Sequence, residues 1–330
     1  MRVAVETSPL AQTRAGTSRY LNGLLRELER RDDVEVRRVA FGGSGRAAAF
    51  VRDACWYPLG LPRRARGADV LHCPTYRGPL GSSVPLVVTV HDLAVLRRPE
   101  AFNVWTRRYS AGVLPHVVRA ATRLIAVSQF TAQELVDLLG APEEKIRVVP
   151  NAVGQPFTAA GDAASGEYVL AVSTLEPRKN LRRLVEGFRR ANLNGCELRI
   201  VGAPGWGDVE IDDGENVRWL GRVSDEELAR LYRGARCAAY VSVYEGFGLP
   251  VLEAMACGTP VVSSDLPPVR EFARGAVLVD PFDADAIAAG LNEAMTRRPE
   301  LAREAREAAS SYDWARVAEM TLDVYREAAA

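Results

Sequence analysis

Lysine is nearly absent from this chain of 330 residues. Only Lys145 and Lys179 are lysines, and the other 40 of its 42 basic residues are arginines. Cysteine is scarce as well. Cys55, Cys73, Cys196, Cys237 and Cys257 are odd in number, scattered and without C-x-x-C spacing. That pattern argues for reduced thiols in a cytoplasmic protein and against a zinc site. No apolar run approaches the roughly 20 residues of a membrane-spanning helix. Met1 leads directly into Val3-Ala-Val5 without a charged n-region and long apolar stretch, so no signal peptide is expected. Net charge is zero, but residues 1–154 hold 22 Lys and Arg against 14 Asp and Glu, while residues 155–330 hold 20 against 28. The basic front half suits an anionic acceptor or an anionic membrane surface. Alternatively, the two halves simply dock on complementary faces. Nucleic-acid binding lacks interleaved aromatics and a recognisable module.

What is present is a β/α rhythm written twice. A length of 330 residues supports two cores. In the first half, strands are expected at 3–5, 34–40, 70–72, 86–90, 124–127 and 146–149, with helices at 17–30 and from a Ser128 cap to Leu139. Residues 155–166, rich in Ala, Gly, Thr and Ser, read as a linker. The second half restarts with strands at 168–172, 197–201, 217–220, 238–243, 260–263 and 276–279, and helices at 181–191 and 225–234. Such alternation means parallel sheets flanked by helices, with ligands beyond the carboxyl ends of the strands.

One stretch carries more chemistry than any other: Tyr244-Glu-Gly-Phe-Gly-Leu-Pro-Val-Leu-Glu253. Gly246 and Gly248 allow a sharp turn after a buried strand, and Pro250 suits a helix start. The amides at Leu249 and Val251, together with the helix dipole, form an anion site. Glu245 and Glu253 would repel a diphosphate, so they are better read as acceptors for hydroxyls. Phosphate plus hydroxyls points to a sugar nucleotide. Glu253 read alone would be a helix-stabilising charge in the first turn. Glu245 has no such structural role on a glycine loop.

Glu245-Gly-Phe-Gly-Leu-Pro-Val-Leu-Glu253 resembles the paired-glutamate signature of retaining GT-B glycosyltransferases, in particular glycosyltransferase family 4. The likeness continues through Ala254-Met-Ala-Cys-Gly-Thr-Pro-Val-Val262 and includes Ser173-Thr-Leu-Glu-Pro-Arg-Lys-Asn180 upstream. It implies an α/β fold of two Rossmann-like, doubly wound parallel-sheet domains facing a central cleft. The domains would span 1–154 on the acceptor side and 167–311 on the nucleotide-sugar side, with a terminal helix over 312–330 crossing back. Arg178 and Lys179 would bind and neutralise the donor diphosphate, Glu253 the ribose hydroxyls, and Glu245 the transferred sugar. Gly246, Phe247, Gly248, Leu249, Pro250 and Val251 would line the donor, while Val223 would touch the base through its main chain. His91, at a strand end, would face the transferred sugar, with Asp92 and His72 on the acceptor side. His116 reads as surface.

The loop Arg14-Ala-Gly-Thr-Ser-Arg19 is less glycine-rich than the family pattern. Gly16 permits close backbone approach there and is expected to be donor-binding, and the absence of G-x-G-x-x-G argues against a dinucleotide oxidoreductase. Asp283-Ala-Asp285 reads as a helix cap, and Asp32-Asp33 and Asp212-Asp213 as polar turns, so neither a metal nor another cofactor is expected. The resemblance implies an enzyme that takes a nucleotide-diphosphate sugar and a hydroxyl acceptor: a saccharide, a lipid-linked sugar or a small molecule; a cytoplasmic place, with peripheral contact at the inner membrane face open, is the expectation. Relatives of this group are frequently mannosyltransferases. Trp56–Arg66, Arg97-Arg98 and Arg107-Arg108 around Trp105 could touch a membrane face or be solvated loops. Two rivals remain: a sugar-nucleotide epimerase or phosphorylase on the same scaffold, and a non-catalytic partner subunit.

Overall fold

The structure is a computed structural model that describes residues 1–330 except 13–15, 44, 103, 206–213 and 215. Arg14, Ala15, Asp212 and Asp213 therefore lie outside the described residues. The chain divides into two compact units, Met1–Ala152 with Asp313–Ala330, and Val153–Tyr312.

Each unit is built on one six-stranded sheet in which every recorded pairing is parallel. In the first unit the strands are β1 Arg2–Glu6, β2 Glu35–Val39, β3 Val70–Cys73, β4 Leu86–Val90, β5 Arg123–Ala126 and β6 Ile146–Val148. Their spatial order is β2-β1-β3-β4-β5-β6. The second unit contains β7 Tyr168–Val172, β8 Glu197–Val201, β9 Val217–Gly221, β10 Cys237–Tyr240, β11 Val261–Ser264 and β12 Ala276–Val279. They lie in the order β12-β11-β10-β7-β8-β9. In both sheets the chain steps to one side and then jumps across its starting strand. The jumps fall between β1 and β3 and between β7 and β10. Such reversal points open a crevice at the carboxyl ends of the strands, which is where ligands of doubly wound folds bind.

Short runs rich in Val, Ile and Leu make strands buried on both faces. Val3, Val5, Val70, Val87 and Ile125 pack on one face against Tyr20, Leu21, Leu24 and Leu28 of helix Gly16–Leu28. The same face holds Val317, Leu322 and Tyr325 of the closing helix Trp314–Ala329. Ala4, Leu71, Val88 and Leu124 join Tyr57, Leu61 and Ala65 in a separate core cluster. In the second unit, helices Leu181–Ala191 and Ala284–Thr296 pack on Val169, Ile200, Val262 and Val277. Ser128 caps helix Gln129–Leu139 by accepting from the Thr131 amide, and Asp283 caps helix Ala284–Thr296 in the same way through the Asp285 amide. Residues 155–166 carry no helix or strand, yet Arg233 donates to the carbonyls of Pro156, Thr158 and Asp162 and ties this segment to the second unit.

Three expectations change. Residues 56–66 are not a solvated loop: the π-helix Arg52–Gly60 runs into helix Leu61–Ala65 and buries Tyr57, Leu61 and Ala65. The strand expected over 238–243 ends at Tyr240, because the next residues bond sideways. The Val243 amide donates to the Arg178 carbonyl at 2.9 Å, and Asn180 Nδ2 to the Val241 carbonyl at 3.0 Å. Glu253 is the fifth residue of helix Leu249–Ala256 and so lies beyond its first turn, where a dipole contribution has largely faded.

Candidate active site

The crevice between β7 and β10 gathers four charged residues of the second unit: Glu176, Arg178, Lys179 and Glu245. Arg178 and Lys179 stand on a short 3₁₀ turn after β7, Pro177–Lys179, and Glu245 on the glycine loop after β10. Lys179 Nζ donates to Glu245 Oε1 at 2.8 Å, and Arg178 Nη1 to Glu245 Oε2 at 3.1 Å. Lys179 also donates to the Tyr240 hydroxyl at 2.8 Å and lies 5.1 Å from that ring's centre. Glu176 is buried; one of its oxygens accepts from the Thr174 hydroxyl at 2.6 Å and from Arg178 at 3.4 Å. Two cations thus face two carboxylates, and the cluster is close to neutral.

Burial would raise the Glu245 pKa, but Lys179 and Arg178 outweigh it and hold the carboxyl at about 2. Lys179 is pulled below its usual value by burial and by Arg178, against the opposing attraction of Glu245. Burial likewise pushes the Tyr240 phenol well above its usual value. At neutral pH the Glu245 carboxyl is therefore ionised, held so by Lys179 and Arg178. The assumption that Glu245 had no structural partner is thereby corrected: it is the counter-ion of both cations.

Asn180 makes this arrangement rigid. It takes a left-handed backbone, φ 58°, which asparagine tolerates better than most residues. Its amide donates to the carbonyls of Val241 at 3.0 Å and Pro281 at 2.7 Å, pinning the turn to the loops after β10 and β12. A further support carries no charge. A Cβ on Gly202 would stand 1.7 Å from the Ser173 carbonyl oxygen, and one on Gly205 2.0 Å from that of Leu175. The segment after β8 therefore lies directly against residues 173–175. Sequence reasoning passed over Tyr240, Gly202 and Gly205. The signal available was the Gly-x-x-Gly spacing directly after a strand.

Helix Leu249–Ala256 opens beside this cluster from Gly248, whose φ is 116°. The Val251 amide is bonded to the Gly248 carbonyl at 3.0 Å, so the amide expected at the phosphates is used within the turn. Phe247 keeps only a main-chain part in the donor reading. Its ring is buried and stacks on Phe272 at 4.5 Å between centres. Glu253 is buried in the helix, where the Tyr232 hydroxyl donates to it at 3.4 Å and to the Pro250 carbonyl at 3.2 Å. Gly246 is buried and Val223 half-buried on the loop after β9.

In the first unit, His91 and Asp92 follow β4 directly. His91 Nε2 lies 3.0 Å from the Pro74 carbonyl and must carry the proton there, and its ring packs edge-on against Tyr20 at 4.8 Å. Burial lowers its pKa, which keeps the ring neutral and Nδ1 an acceptor. Asp92 accepts from the Ala94 amide at 3.0 Å and turns the chain into the short helix Ala94–Arg97. His72 is not on a binding face. It is fully enclosed, with Nε2 at 2.9 Å from the Thr89 hydroxyl and Nδ1 at 2.7 Å from the Tyr325 hydroxyl. Burial pushes its pKa down to about 3. Tyr20 joins through Thr89 at 3.1 Å, so His72 belongs to a polar network linking β3, β4, the Gly16–Leu28 helix and the closing helix. His116 is exposed, and Gly16 begins its helix half-buried. Among the described residues no group of three or more His, Cys, Asp or Glu is placed to hold a metal ion. None of their helices is long and apolar enough to cross a membrane. A cavity of about 280 Å³ lined by Phe188, Asn192, Cys196 and Asn216 lies at the amino ends of β8 and β9, away from the charged cluster.

The motifs now have their structural context, and comparison with known proteins agrees. Residues 14–154 match the family model described as Glycosyltransferase Family 4, and residues 160–312 that described as Glycosyl transferases group 1. A D-inositol 3-phosphate glycosyltransferase of Acidothermus cellulolyticus is 30% identical over 342 residues, covering 91% of this chain and 74% of that protein. The chain belongs to glycosyltransferase family 4. O-antigen chain mannosyltransferase B of Escherichia coli is 29% identical over 381 residues, covering 99% of this chain and all of the relative. Among solved structures, sucrose-phosphate synthase from Thermosynechococcus elongatus superimposes with a TM-score of 0.79 at 19% identity, covering 99% and 98% of the two chains. Anabaena HepE in complex with UDP-glucose does so with a TM-score of 0.76, also at 19% identity, covering 98% of each. These structural neighbours share the GT-B fold. The enzyme is thus a glycosyltransferase of two Rossmann-like parallel-sheet units.

Proposed function

We propose that this glycosyltransferase moves a sugar from a nucleotide-diphosphate sugar to a hydroxyl acceptor, with retention at the anomeric carbon and without a metal ion. The observation that carries the reading is the Arg178–Lys179–Glu245 cluster at the β7/β10 crevice beside the Leu249–Ala256 helix. Arg178 and Lys179 give the diphosphate two cations already held close together, so charge developing on the leaving group meets fixed positive partners. Glu245, their counter-ion, then turns its oxygens to sugar hydroxyls, and Glu253 serves the ribose. The bond from the anomeric carbon to the diphosphate oxygen breaks as the acceptor oxygen bonds the same face, and the acceptor proton passes to the departing diphosphate.

We assign the acceptor to the first unit, with His91 as a neutral polar group there. One structural neighbour supports the donor class by name: HepE was solved with UDP-glucose, while the Escherichia coli relative is named a mannosyltransferase, which supports sugar transfer. A panel of UDP-, GDP- and dTDP-sugars, assayed for transfer with and without EDTA, tests the reading. Transfer from one nucleotide family that survives EDTA, with an α-linked donor yielding an α-linked product, is the expected result. Inversion, or loss of transfer with EDTA, contradicts it. Isomerisation of the donor alone would indicate an epimerase instead.

A further inference from the structure

One hydrogen bond does not fix an imidazole. His91 Nε2 donates to the Pro74 carbonyl at 3.0 Å, and Nδ1 has no hydrogen-bond partner among the described residues. On that bond alone the ring can still tilt, and it can turn over about its Cβ–Cγ bond, because the torsion to a planar ring is broad. Tyr20 limits both motions. Its ring meets His91 edge-on, at 4.8 Å between centres and 82° between planes. An edge-on contact has a preferred direction as well as an attraction, so it fixes the plane that the hydrogen bond leaves loose. Tyr20 is fully enclosed and cannot touch a substrate, whereas His91 remains partly exposed.

Tyr20 is itself held firmly. Its hydroxyl lies 3.1 Å from the Thr89 hydroxyl, which also meets His72 Nε2 at 2.9 Å. Thr89 precedes His91 by two residues on β4, which ends at Val90. One tyrosine thus grips this strand end twice, by its hydroxyl and by its ring. Behind it stands the closing helix Trp314–Ala329. Trp314 packs against the Tyr20 ring at 6.1 Å between centres, and a Cβ on Gly23, three residues along, would overlap the indole. Tyr325 of the same helix meets His72 Nδ1 at 2.7 Å. The brace is built from β4, the Gly16–Leu28 helix and the closing helix, all within the first unit.

We infer that Tyr20 is a positioning residue: backed by Trp314, its ring holds the His91 imidazole in one orientation and one tautomer, with Nδ1 as the open acceptor. Its purpose rests on the acceptor-side part given to His91 in the transfer reading, but the orientation is measured without transfer. The chain has three histidines, so long-range proton–nitrogen NMR of histidine-labelled protein resolves each ring. His91→Gln assigns the His91 signals, and chemical denaturation confirms that each variant folds. Wild type should show His91 as one neutral tautomer protonated at Nε2. Tyr20→Leu should show both tautomers and lower kcat about ten- to hundred-fold, the cost of a misplaced group, while KM for the nucleotide sugar changes less than about two-fold. Tyr20→Phe keeps the ring and should retain the single tautomer and most of the turnover. Trp314→Leu should loosen His91 in the same direction and to a smaller degree. A single His91 tautomer in Tyr20→Leu overturns the inference, as does a Tyr20→Phe variant as impaired as Tyr20→Leu. Where Tyr20→Leu does not fold, a single tautomer in Trp314→Leu overturns it. Mixed tautomers with kcat unchanged, or in a protein that transfers no sugar, would uphold the brace and overturn, respectively, the part given to His91 and the transfer reading.

Discussion

The two crevices are topological twins with opposite polar economies. At β7/β10, Glu245 is closed by two cations at 2.8 and 3.1 Å. At β1/β3, the enclosed Glu6 carboxyl accepts from the Ser8 amide at 2.9 Å and feels Arg52 as a more distant charge. A pre-paired ionic cluster is suited to accept one more charged group by exchanging partners, because its cations are already desolvated and oriented. One fold, used twice, thus holds its buried carboxylate with two cations in one crevice and with a main-chain amide in the other.

The largest effect should come from breaking the ionic cluster. Glu245→Ala takes the carboxylate from Lys179, leaves Arg178 only that of Glu176 at 3.4 Å, and removes the group assigned to the sugar. Turnover should fall on the order of 10²–10³-fold in a radiolabel transfer assay, as for loss of one preorganised transition-state contact. Unchanged turnover would mean that the pairing is structural only. Next, Asn180→Ala removes both donated hydrogen bonds and leaves an alanine at a positive φ. Chemical denaturation should show a loss of about 2–4 kcal/mol, and a loss under about 0.5 kcal/mol would refute its role as the pin of the turn.

The histidine network gives a pH test in the other unit. His72 has a folded pKa of about 3, below that of the unfolded chain, so protonation favours unfolding. Its contribution is intact above the unfolded value of about 6.5 and is lost as pH falls from there toward the folded value. From about pH 7 to about pH 5 wild type should lose about 2 kcal/mol more than His72→Gln. Parallel losses would show that His72 titrates normally. The smallest effect belongs to Tyr240→Phe, which removes one hydroxyl from Lys179 while keeping the ring beneath it. Nucleotide affinity should weaken by about two- to ten-fold, the range for one hydrogen bond, and a larger loss would make Tyr240 a direct ligand.

Much of the architecture was legible. Leu86–Val90, Tyr168–Val172, Glu197–Val201 and Ala276–Val279 are strands over the expected residues, as are the helices Leu181–Ala191 and Asp225–Gly234, because short β-branched runs and amphipathic periods are local signals. The failures share a cause in long-range partners. Nothing local in Leu71-His72-Cys73 shows that Thr89 and Tyr325 will enclose the histidine. Nothing in the Tyr244–Glu253 stretch shows that residues more than sixty positions earlier neutralise Glu245. The bend after Tyr240 follows from side-chain and main-chain bonds to Arg178 and Asn180. The helical turn over 52–65 was hidden by Pro58 and Pro62, which read as loop residues.

The central claim is that Arg178 and Lys179 are the cations of a nucleotide diphosphate. Calorimetric titration of UDP and GDP in EDTA, with wild type, Arg178→Ala and Lys179→Ala, tests it most directly. One nucleotide should bind wild type and lose at least about ten-fold in affinity with either variant, the equivalent of about 1.4 kcal/mol for each lost charge-assisted contact. Equal affinity in all three proteins, or binding that appears only when magnesium is restored, would contradict it.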